Sequence, residues 1–135
     1  MCTPADKSLP VVLVVEDEAL LRMLAVEVVE EAGFSAIEAR DADEAIALLE
    51  SRTDIVLLFT DVNMPGSMDG LKLAHAVRDR RPSIKILLVS GQQRLQPSDL
   101  PLNSRFVEKP YQVSALVEAL HSLIGSCHSN VAILQ

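Results

Sequence analysis

Runs of consecutive hydrophobic residues alternate along this chain with segments in which hydrophobic residues recur every three or four positions. Unbroken aliphatic runs are typical of strands buried on both faces of a parallel sheet, whereas the longer spacing is typical of amphipathic helices. The runs predict five strands, at residues 11–15, 34–37, 55–60, 84–89 and 105–108. The segments between them predict helices at residues 18–31, 43–49, 69–80 and 111–124, with a short helix near Ser98.

Alternation of strands and helices predicts an α/β fold, in which a doubly wound sheet of five parallel strands lies between two layers of helices as a three-layer α/β/α sandwich. A length of 135 residues with 49% hydrophobic composition suits one domain. We expect this domain to span residues 9–125, between an N-terminal tail at 1–8 and a C-terminal tail at 126–135.

Composition narrows the classes of function. The hydrophobic runs are far shorter than the roughly 18 residues of a membrane helix. The N-terminus lacks the basic and apolar regions of a signal peptide, so we expect a cytoplasmic protein that does not contact a membrane. A formal net charge of −7 argues against nucleic-acid binding, which needs a basic surface.

Four of the predicted strands end at polar side chains. Asp61 directly follows the third strand, and Glu16 and Asp17 follow the first. Ser90 follows the fourth strand and Lys109 follows the fifth. The carboxyl ends of parallel strands lie at one edge of the sheet, where ligands bind. We therefore expect these acids, the hydroxyl and the lysine to converge at that edge.

Three carboxylates placed together repel one another and need a cation. Oxygen ligands without sulfur or imidazole suit Mg²⁺ or Mn²⁺, held in an octahedron that water and a phosphate complete. The sequence thus predicts a metal site at Glu16, Asp17 and Asp61, with Lys109 balancing the charge. The alternative is that acids after strands only cap helices. We accept it for Glu18, but it explains neither the lysine nor the serine at the same edge.

The cysteines and histidines have no spacing typical of a metal site. Cys2 and Cys127 lie near the two termini and are expected to be reduced thiols. His75, His121 and His128 lie on predicted helices or in the tail, away from the acidic strand ends. We expect no chemistry from any of the five.

The residues at the strand ends form an ordered set that resembles the receiver domain of two-component response regulators, of the chemotaxis type. The set comprises Glu16-Asp17, Asp61, Met64-Pro65, Asp69-Gly70, Ser90-Gly91 and Lys109-Pro110. Each element alone is weak evidence for this family, whereas the whole set in this order is specific for it. The resemblance covers about residues 9–125. It implies a flavodoxin-like fold with strand order 2-1-3-4-5.

The resemblance makes Asp61 the residue that accepts a phosphoryl group from a phosphohistidine and holds it as an acyl phosphate. Glu16 and Asp17, with Asp61 and the backbone carbonyl of Asn63, would bind Mg²⁺. These roles suit phosphoryl transfer, which depends on in-line positioning and charge neutralisation more than on acid or base groups. A carboxylate that is ionised at neutral pH needs no general base.

The resemblance also implies how the phosphoryl group is held and sensed. Lys109 would pair with one phosphoryl oxygen, and the hydroxyl of Ser90 would donate to another. An inward movement of Ser90 would be transmitted to Phe106, whose inward state would depend on packing alone because it lacks the hydroxyl of tyrosine. The alternative is that Phe106 only fills the core. A cis peptide bond between Lys109 and Pro110 is implied as well.

Three features depart from the family pattern. The loop from Met64 to Gly70 has one residue more than the common spacing, so we expect it to be wider or bulged. Gly91 stands where alanine is frequent, which would open the phosphoryl site and speed the loss of phosphate. The segment before Lys109 is short and broken by prolines, so the face formed by the fourth helix, fifth strand and fifth helix would be unusual.

We expect a single-domain regulator without an output domain, because only about ten residues follow the last predicted helix. It would accept phosphate from a sensor histidine kinase or a histidine phosphotransfer protein, and would then signal to an unknown protein target or relay the phosphate. It is not expected to be an enzyme beyond its own phosphorylation and dephosphorylation. We expect a monomer or a weak, phosphorylation-dependent homodimer. The first turn of the first helix would meet the kinase.

Three alternatives remain. A hydrolase of the haloacid-dehalogenase kind needs a second acid two residues after its nucleophile, where this chain has Asn63. A flavin-binding electron carrier needs a hydroxyl- and glycine-rich loop after the first strand, where Glu16, Asp17 and Glu18 would repel a flavin phosphate. A receiver fold that acts as a phosphorylation-independent interaction module is disfavoured, because every chemical position is filled.

Overall fold

Five parallel strands form the centre of the molecule. The computed structural model describes residues 9–64, 68–91, 97–101 and 104–125 of the chain. The strands are hydrogen-bonded in the order β2-β1-β3-β4-β5, and every neighbouring pair is parallel. This confirms the flavodoxin-like order 2-1-3-4-5. The strands are β1 Val11–Val15, β2 Ser35–Ala39, β3 Ile55–Asp61, β4 Lys85–Ser90 and β5 Ser104–Glu108.

Helices cover both faces of the sheet. They are α1 Ala19–Glu31, α2 Ala42–Ser51, α3 Gly70–Arg80 and α4 Val113–Ile124. A 3₁₀ turn at Pro97–Asp99 confirms the short helix expected near Ser98. Helices α2 and α3 pack on one face of the sheet, and α1 and α4 pack on the other, so the molecule has three layers. Within the described residues, no helix is long and apolar enough to cross a membrane.

The core is divided by the sheet into two hydrophobic clusters. Successive residues of each central strand point to opposite sides, so that Leu57 and Leu87 belong to the cluster with α1 and α4. Leu58 and Leu88 belong to the cluster with α2 and α3. All four leucine side chains are fully buried. Burial on both faces explains why these strands are continuous hydrophobic runs in the sequence.

Two helices on the same face begin with aspartate caps. The carboxylate of Asp41 accepts from the backbone N–H of Glu44 at 2.8 Å, which starts α2 one residue earlier than predicted. The carboxylate of Asp69 accepts from the N–H of Lys72 at 2.9 Å and starts α3. Each cap satisfies one of the free N–H groups of the first helical turn.

Helix α1 begins differently, and the expectation that Glu18 caps it holds for the position of Glu18 but not for a side-chain hydrogen bond. Glu18 is the N-cap residue, but its side chain makes no capping hydrogen bond. Its backbone N–H instead donates to the carboxylate of Glu16 at 3.2 Å. The start of α1 is therefore held by an acid that precedes the helix, which ties this helix to the strand-end site.

Two histidines connect helices to neighbouring segments. The Nε2 atom of His121 on α4 lies 2.9 Å from the carbonyl oxygen of Ala32, and its ring meets Phe34 edge-on at 5.6 Å. The Nε2 atom of His75 on α3 lies 2.8 Å from the carbonyl oxygen of Asp99 in the 3₁₀ turn. Both histidines are thus engaged in contacts between elements. The remaining histidine and both cysteines lie outside the described residues.

Candidate functional site

The carboxyl edge of the sheet brings polar strand ends together. Asp61 and Ser90 are the last residues of β3 and β4, while Glu16 directly follows β1 and Lys109 directly follows β5. Asp61, Glu16 and Ser90 are buried, with exposures of 6%, 6% and 0%. Buried polar groups need partners, since an unpaired one costs folding free energy. The contacts among these groups therefore define the site.

Lys109 bridges the two buried acids. Its Nζ atom lies 2.6 Å from Oδ2 of Asp61 and 3.7 Å from Oε2 of Glu16. The other oxygen of Asp61, Oδ1, accepts from the backbone N–H of Asn63 at 2.9 Å. Two hydrogen bonds from different segments thus fix the Asp61 carboxylate at the sheet edge.

Burial and neighbouring charges shift the pKa values of Glu16 and Lys109. Burial, together with the neighbouring carboxyl of Asp61, raises the pKa of Glu16 to about 8. Burial alone would lower the pKa of Lys109, but the hydrogen bond to Asp61 and the charges of both acids outweigh it and raise that pKa. Lys109 therefore stays charged. The site resists a second negative charge at Glu16 unless a cation offsets it.

The other predicted site residues lie around an open cleft next to Asp61. This cleft has a volume of about 270 Å³, and its lining includes Asp17, Asn63, Gly91 and Lys109. Asp17 and Asn63 are exposed, whereas Ser90 is fully buried beneath them. The side-chain amide of Asn63 donates to the hydroxyl of Ser90 over a long 3.4 Å. The cleft leaves Asp61 open to an incoming group.

The donors at this edge fit a hard divalent cation in their chemistry. Glu16, Asp17, Asp61 and the carbonyl of Asn63 offer only oxygen, the ligand type that Mg²⁺ and Mn²⁺ prefer. In the described part of the chain, no three acidic, histidine or cysteine side chains are already grouped closely enough to hold a metal. The ammonium group of Lys109 instead supplies the positive charge between two of the acids.

Gly70 packs against the backbone of Asp61. A Cβ atom built on Gly70 would lie 1.8 Å from the carbonyl oxygen of Asp61. The N–H of Gly70 donates to the carbonyl of Val62 at 2.8 Å, and the hydroxyl of Thr60 contacts the carbonyl of Asp61 at 3.0 Å. The sequence marked Asp69-Gly70 as part of the resemblance, but spacing alone gave no steric reason for the glycine.

Arg22 on α1 is a site neighbour that sequence reasoning missed. One guanidinium nitrogen donates to the carbonyl oxygen of Glu16 at 2.8 Å, and Nε donates to the carboxylate of Glu38 at 3.1 Å. An arginine on an amphipathic helix ordinarily indicates a solvent-facing side. Its link to two strands exists only in the folded chain, and no sequence signal predicted it.

A hydrophobic cavity of about 540 Å³ adjoins Asp61 and Lys109 on the α1 and α4 side of the sheet. Its apolar lining includes Leu21, Leu24, Phe59, Val89 and Tyr111. Burial raises the pKa of the Tyr111 phenol. Leu20, Met23 and Val113 are 63%, 51% and 50% exposed around the same helix ends. Exposed apolar side chains thus stand close to the site.

Two further features concern the resemblance. Phe106 is half-buried and packs against the hydrophobic cluster on the α2 and α3 side. The peptide bond between Lys109 and Pro110 is cis, as the resemblance implies. The expected widening of the loop after Met64 falls at residues 65–67, which lie outside the described residues, as do residues 92–96 and 102–103.

This geometry can be compared with known proteins. The response regulator receiver domain matches residues 12–121, which include every strand end described above. The chain belongs to this family. Receiver domains are signalling modules of two-component systems rather than conventional enzymes, so the family supports the class of function that the strand-end residues indicate.

Individual relatives agree with the family match. The chain is 33% identical over 117 residues to the chemotaxis protein CheY of Thermotoga maritima, which covers 83% of this chain and 95% of that protein. It is 32% identical over 110 residues to the nitrogen assimilation regulatory protein NtrX of Azorhizobium caulinodans, covering 78% of this chain but only 24% of NtrX.

The fold also matches solved receivers. A crystal structure of a response regulator receiver protein from Sinorhizobium medicae WSM419 superposes with a TM-score of 0.78 at 28% identity. The match covers 84% of this chain and 92% of that one. The receiver architecture therefore accounts for nearly all of the described residues.

Proposed function

We propose that this receiver accepts a phosphoryl group on Asp61 from a phosphohistidine of a sensor histidine kinase or a histidine phosphotransfer protein. The observation that carries the proposal is the Asp61 carboxylate, which is held by Lys109 at 2.6 Å and by Asn63 at 2.9 Å beside an open cleft. A fixed carboxylate with access from one side is suited to in-line attack on phosphorus.

The reaction is a displacement at phosphorus. An oxygen of Asp61 forms a bond to phosphorus, the phosphorus–nitrogen bond to the donor imidazole breaks, and its electron pair goes to that nitrogen. A proton on the other ring nitrogen lets the donor leave as neutral imidazole. The product is an acyl phosphate on Asp61, which water hydrolyses back to aspartate and phosphate.

Lys109 and Ser90 are proposed to hold the phosphoryl oxygens. The ammonium group of Lys109 already contacts an Asp61 oxygen, so it lies within reach of a group attached there. Ser90 ends the neighbouring strand, and its hydroxyl faces Asn63. Preorganised donors of this kind stabilise the negative charge that spreads over the transferring group.

The acidic edge is proposed to bind Mg²⁺ or Mn²⁺, as receivers generally do. Glu16, Asp17, Asp61 and the carbonyl of Asn63 would hold the ion. The ion would neutralise carboxylate and phosphoryl charge. Within the chain itself, Glu16 and Asp61 are already close enough to share one ammonium group, so a divalent cation there would offset the second negative charge that the site otherwise resists at Glu16.

The apolar surface beside the site is proposed to receive the phosphodonor protein. Leu21 and Leu24 line the cavity that opens next to Asp61, and Leu20 extends the same surface into solvent. A helical donor domain could cover these side chains while its histidine points into the cleft. Interfaces gain most of their affinity from such buried apolar anchors.

The response is proposed to travel from Ser90 to Phe106. These residues lie on neighbouring strands, where Leu88 is paired with Phe106 and Ser90 is paired with Glu108. A pull on Ser90 toward the phosphoryl group opens space into which Phe106, half-buried, can pack. We propose that the protein acts in the cytoplasm, as a monomer or a weak, phosphorylation-dependent homodimer.

Intact-mass measurement after incubation with acetyl phosphate tests the phosphoacceptor role. We expect one added phosphoryl group in the presence of Mg²⁺, and none with chelator or in the Asp61→Asn variant. Addition that persists in Asp61→Asn would contradict the assignment. If neither acetyl phosphate nor a phosphorylated histidine protein modifies the wild type, the chain is instead a phosphorylation-independent interaction module.

A further inference from the structure

Arg22 connects the acidic turn after β1 to strand β2. Its side chain is 19% exposed, so most of it is covered by the protein. It donates to the backbone carbonyl of Glu16 at 2.8 Å and to the carboxylate of Glu38 at 3.1 Å. The guanidinium is planar and its donors have a fixed geometry, so two simultaneous contacts define its orientation.

Every polar atom of Glu16 has a partner. Its N–H donates to the carbonyl of Ala39 at 3.1 Å, and its two carboxylate oxygens meet the N–H of Glu18 at 3.2 Å and the ammonium of Lys109 at 3.7 Å. Its carbonyl oxygen accepts from Arg22. That carbonyl belongs to the peptide unit shared with the next residue.

The peptide between Glu16 and Asp17 therefore has its orientation set by Arg22. A peptide unit is planar, so fixing its carbonyl oxygen also fixes the direction in which the chain enters Asp17. Asp17 is exposed, and the carbonyl of Glu16 is held by a charged donor rather than by solvent. A charge-assisted hydrogen bond is stronger than a neutral one.

We propose that Arg22 is a positioning residue, which holds the Glu16–Asp17 peptide so that both carboxylates face a divalent cation. This inference rests on the proposed function, because the cation matters only if the acidic edge binds one. The charge of Arg22 alone acts in the opposite direction, since a guanidinium near a cation site repels the cation. Positioning and charge thus predict opposite effects of its removal.

The test is the affinity for Mn²⁺, measured by electron paramagnetic resonance of the free ion. We expect Arg22→Gln to bind Mn²⁺ about tenfold more weakly, as when other residues that orient metal ligands are removed. Arg22→Lys should fall between this variant and the wild type, because one ammonium group cannot reproduce the two forked contacts. Wild-type or tighter binding in Arg22→Gln overturns the proposal.

Arg52→Gln is the matched control. Arg52 donates to both oxygens of Asp54 at 2.9 Å and 2.7 Å, just before β3 and so at the opposite edge of the sheet from the site. This variant loses the same charge and an ion pair. It should keep wild-type affinity for Mn²⁺, and an equal loss in both variants would refute a specific role for Arg22.

Folding and function can be separated in this experiment. Circular dichroism with chelator establishes whether each variant is folded. If Arg22→Gln is unfolded, the Mn²⁺ affinities of Arg22→Lys and the wild type are compared instead, and equal or tighter binding by Arg22→Lys overturns the proposal. A wild type that binds no Mn²⁺ and accepts no phosphoryl group defeats the proposed function. If the wild type binds Mn²⁺ and accepts a phosphoryl group, but Arg22→Gln binds Mn²⁺ equally well, the proposed function stands and only the role of Arg22 is refuted.

Discussion

Gly70 lies so close to Asp61 that a methyl group at position 70 would be 1.8 Å from the carbonyl oxygen and 2.7 Å from the carbonyl carbon of Asp61. Both are backbone atoms, so no side-chain rotation can relieve the contact. The close approach lets α3 begin directly beneath the end of β3, with Gly70 donating to the carbonyl of Val62. The position of the acceptor residue thus depends on the absence of a side chain nine residues later.

Gly70→Ala should destabilise the protein by about 1–3 kcal/mol, the usual range for overpacking a tight site. It should also slow phosphorylation, because the backbone of Asp61 must move. Urea unfolding and the rate of mass gain with acetyl phosphate measure the two effects.

Gly33→Ala is the control, since Gly33 has a φ of +100° and open space around it. It should lose about 1–3 kcal/mol from backbone strain yet keep its phosphorylation rate. Equal rates in both variants would count against the close approach.

Gly91→Ala should lengthen the lifetime of the phosphoryl group. Gly91 lines the cleft beside Asp61, and a Cβ atom there would lie 3.2 Å from Cβ of Lys109, which requires a small shift of the lysine. The added methyl group narrows the path of the hydrolytic water. The half-life of the phosphorylated form, followed by intact mass after removal of the donor, measures the effect. An unchanged or shorter half-life would contradict the expectation that this glycine opens the site.

Lys109→Met should make the metal-free protein less stable by about 1–3 kcal/mol, less than for a fully buried pair because the lysine is partly exposed. It leaves the buried carboxyls of Asp61 and Glu16 facing each other without a cation. Added Mg²⁺ should therefore stabilise this variant more than it stabilises the wild type. Urea unfolding with chelator and with excess Mg²⁺ checks both points. Lys85→Met, which changes a partly buried lysine at the start of β4, should respond to Mg²⁺ like the wild type.

Leu24→Ser should slow transfer from a phosphorylated histidine protein but leave phosphorylation by acetyl phosphate unchanged. Leu24 is 44% exposed and lines the cavity beside Asp61, so it is available to a protein donor, and its apolar side chain supplies no group to the phosphoryl chemistry. Met23→Ser is the control, because Met23 is 51% exposed on the same helix but does not line the cavity. Rates from both donors, measured on the same preparations, separate docking from chemistry. A parallel loss with acetyl phosphate would assign Leu24 to the reaction site itself.

The fold was predictable because the central strands are buried on both faces. Their hydrophobic runs are therefore unbroken, and β1 has the predicted bounds at both ends. The predicted strands β3 and β4 each end one residue too early, because Asp61 and Ser90 are still part of the sheet. These polar residues remain paired with Val89 and Glu108 on the neighbouring strands, so hydrogen bonding continues where hydrophobicity ends.

The strand-end acids and the lysine of the site were predictable for the same reason, since a parallel sheet places all carboxyl ends at one edge. Arg22 was not, because Glu38 comes beside Glu16, and so within reach of the same guanidinium, only after β2 pairs with β1. Helix α4 begins two residues later than predicted. Tyr111 precedes the helix and lines the cavity beside the site. Its hydrophobic character alone could not show whether it belongs to the helix or to the cavity.

The pairing of Asp61 with Val89 has a practical consequence. Side chains alternate across a strand, so a slip of one residue between β3 and β4 would turn Asp61 to the opposite face and bury it among the side chains under α2 and α3. Molecules with that error cannot present the carboxylate beside Lys109. The register between β3 and β4 is therefore a condition for phosphate uptake, and a mis-registered molecule would keep its secondary structure while losing this activity.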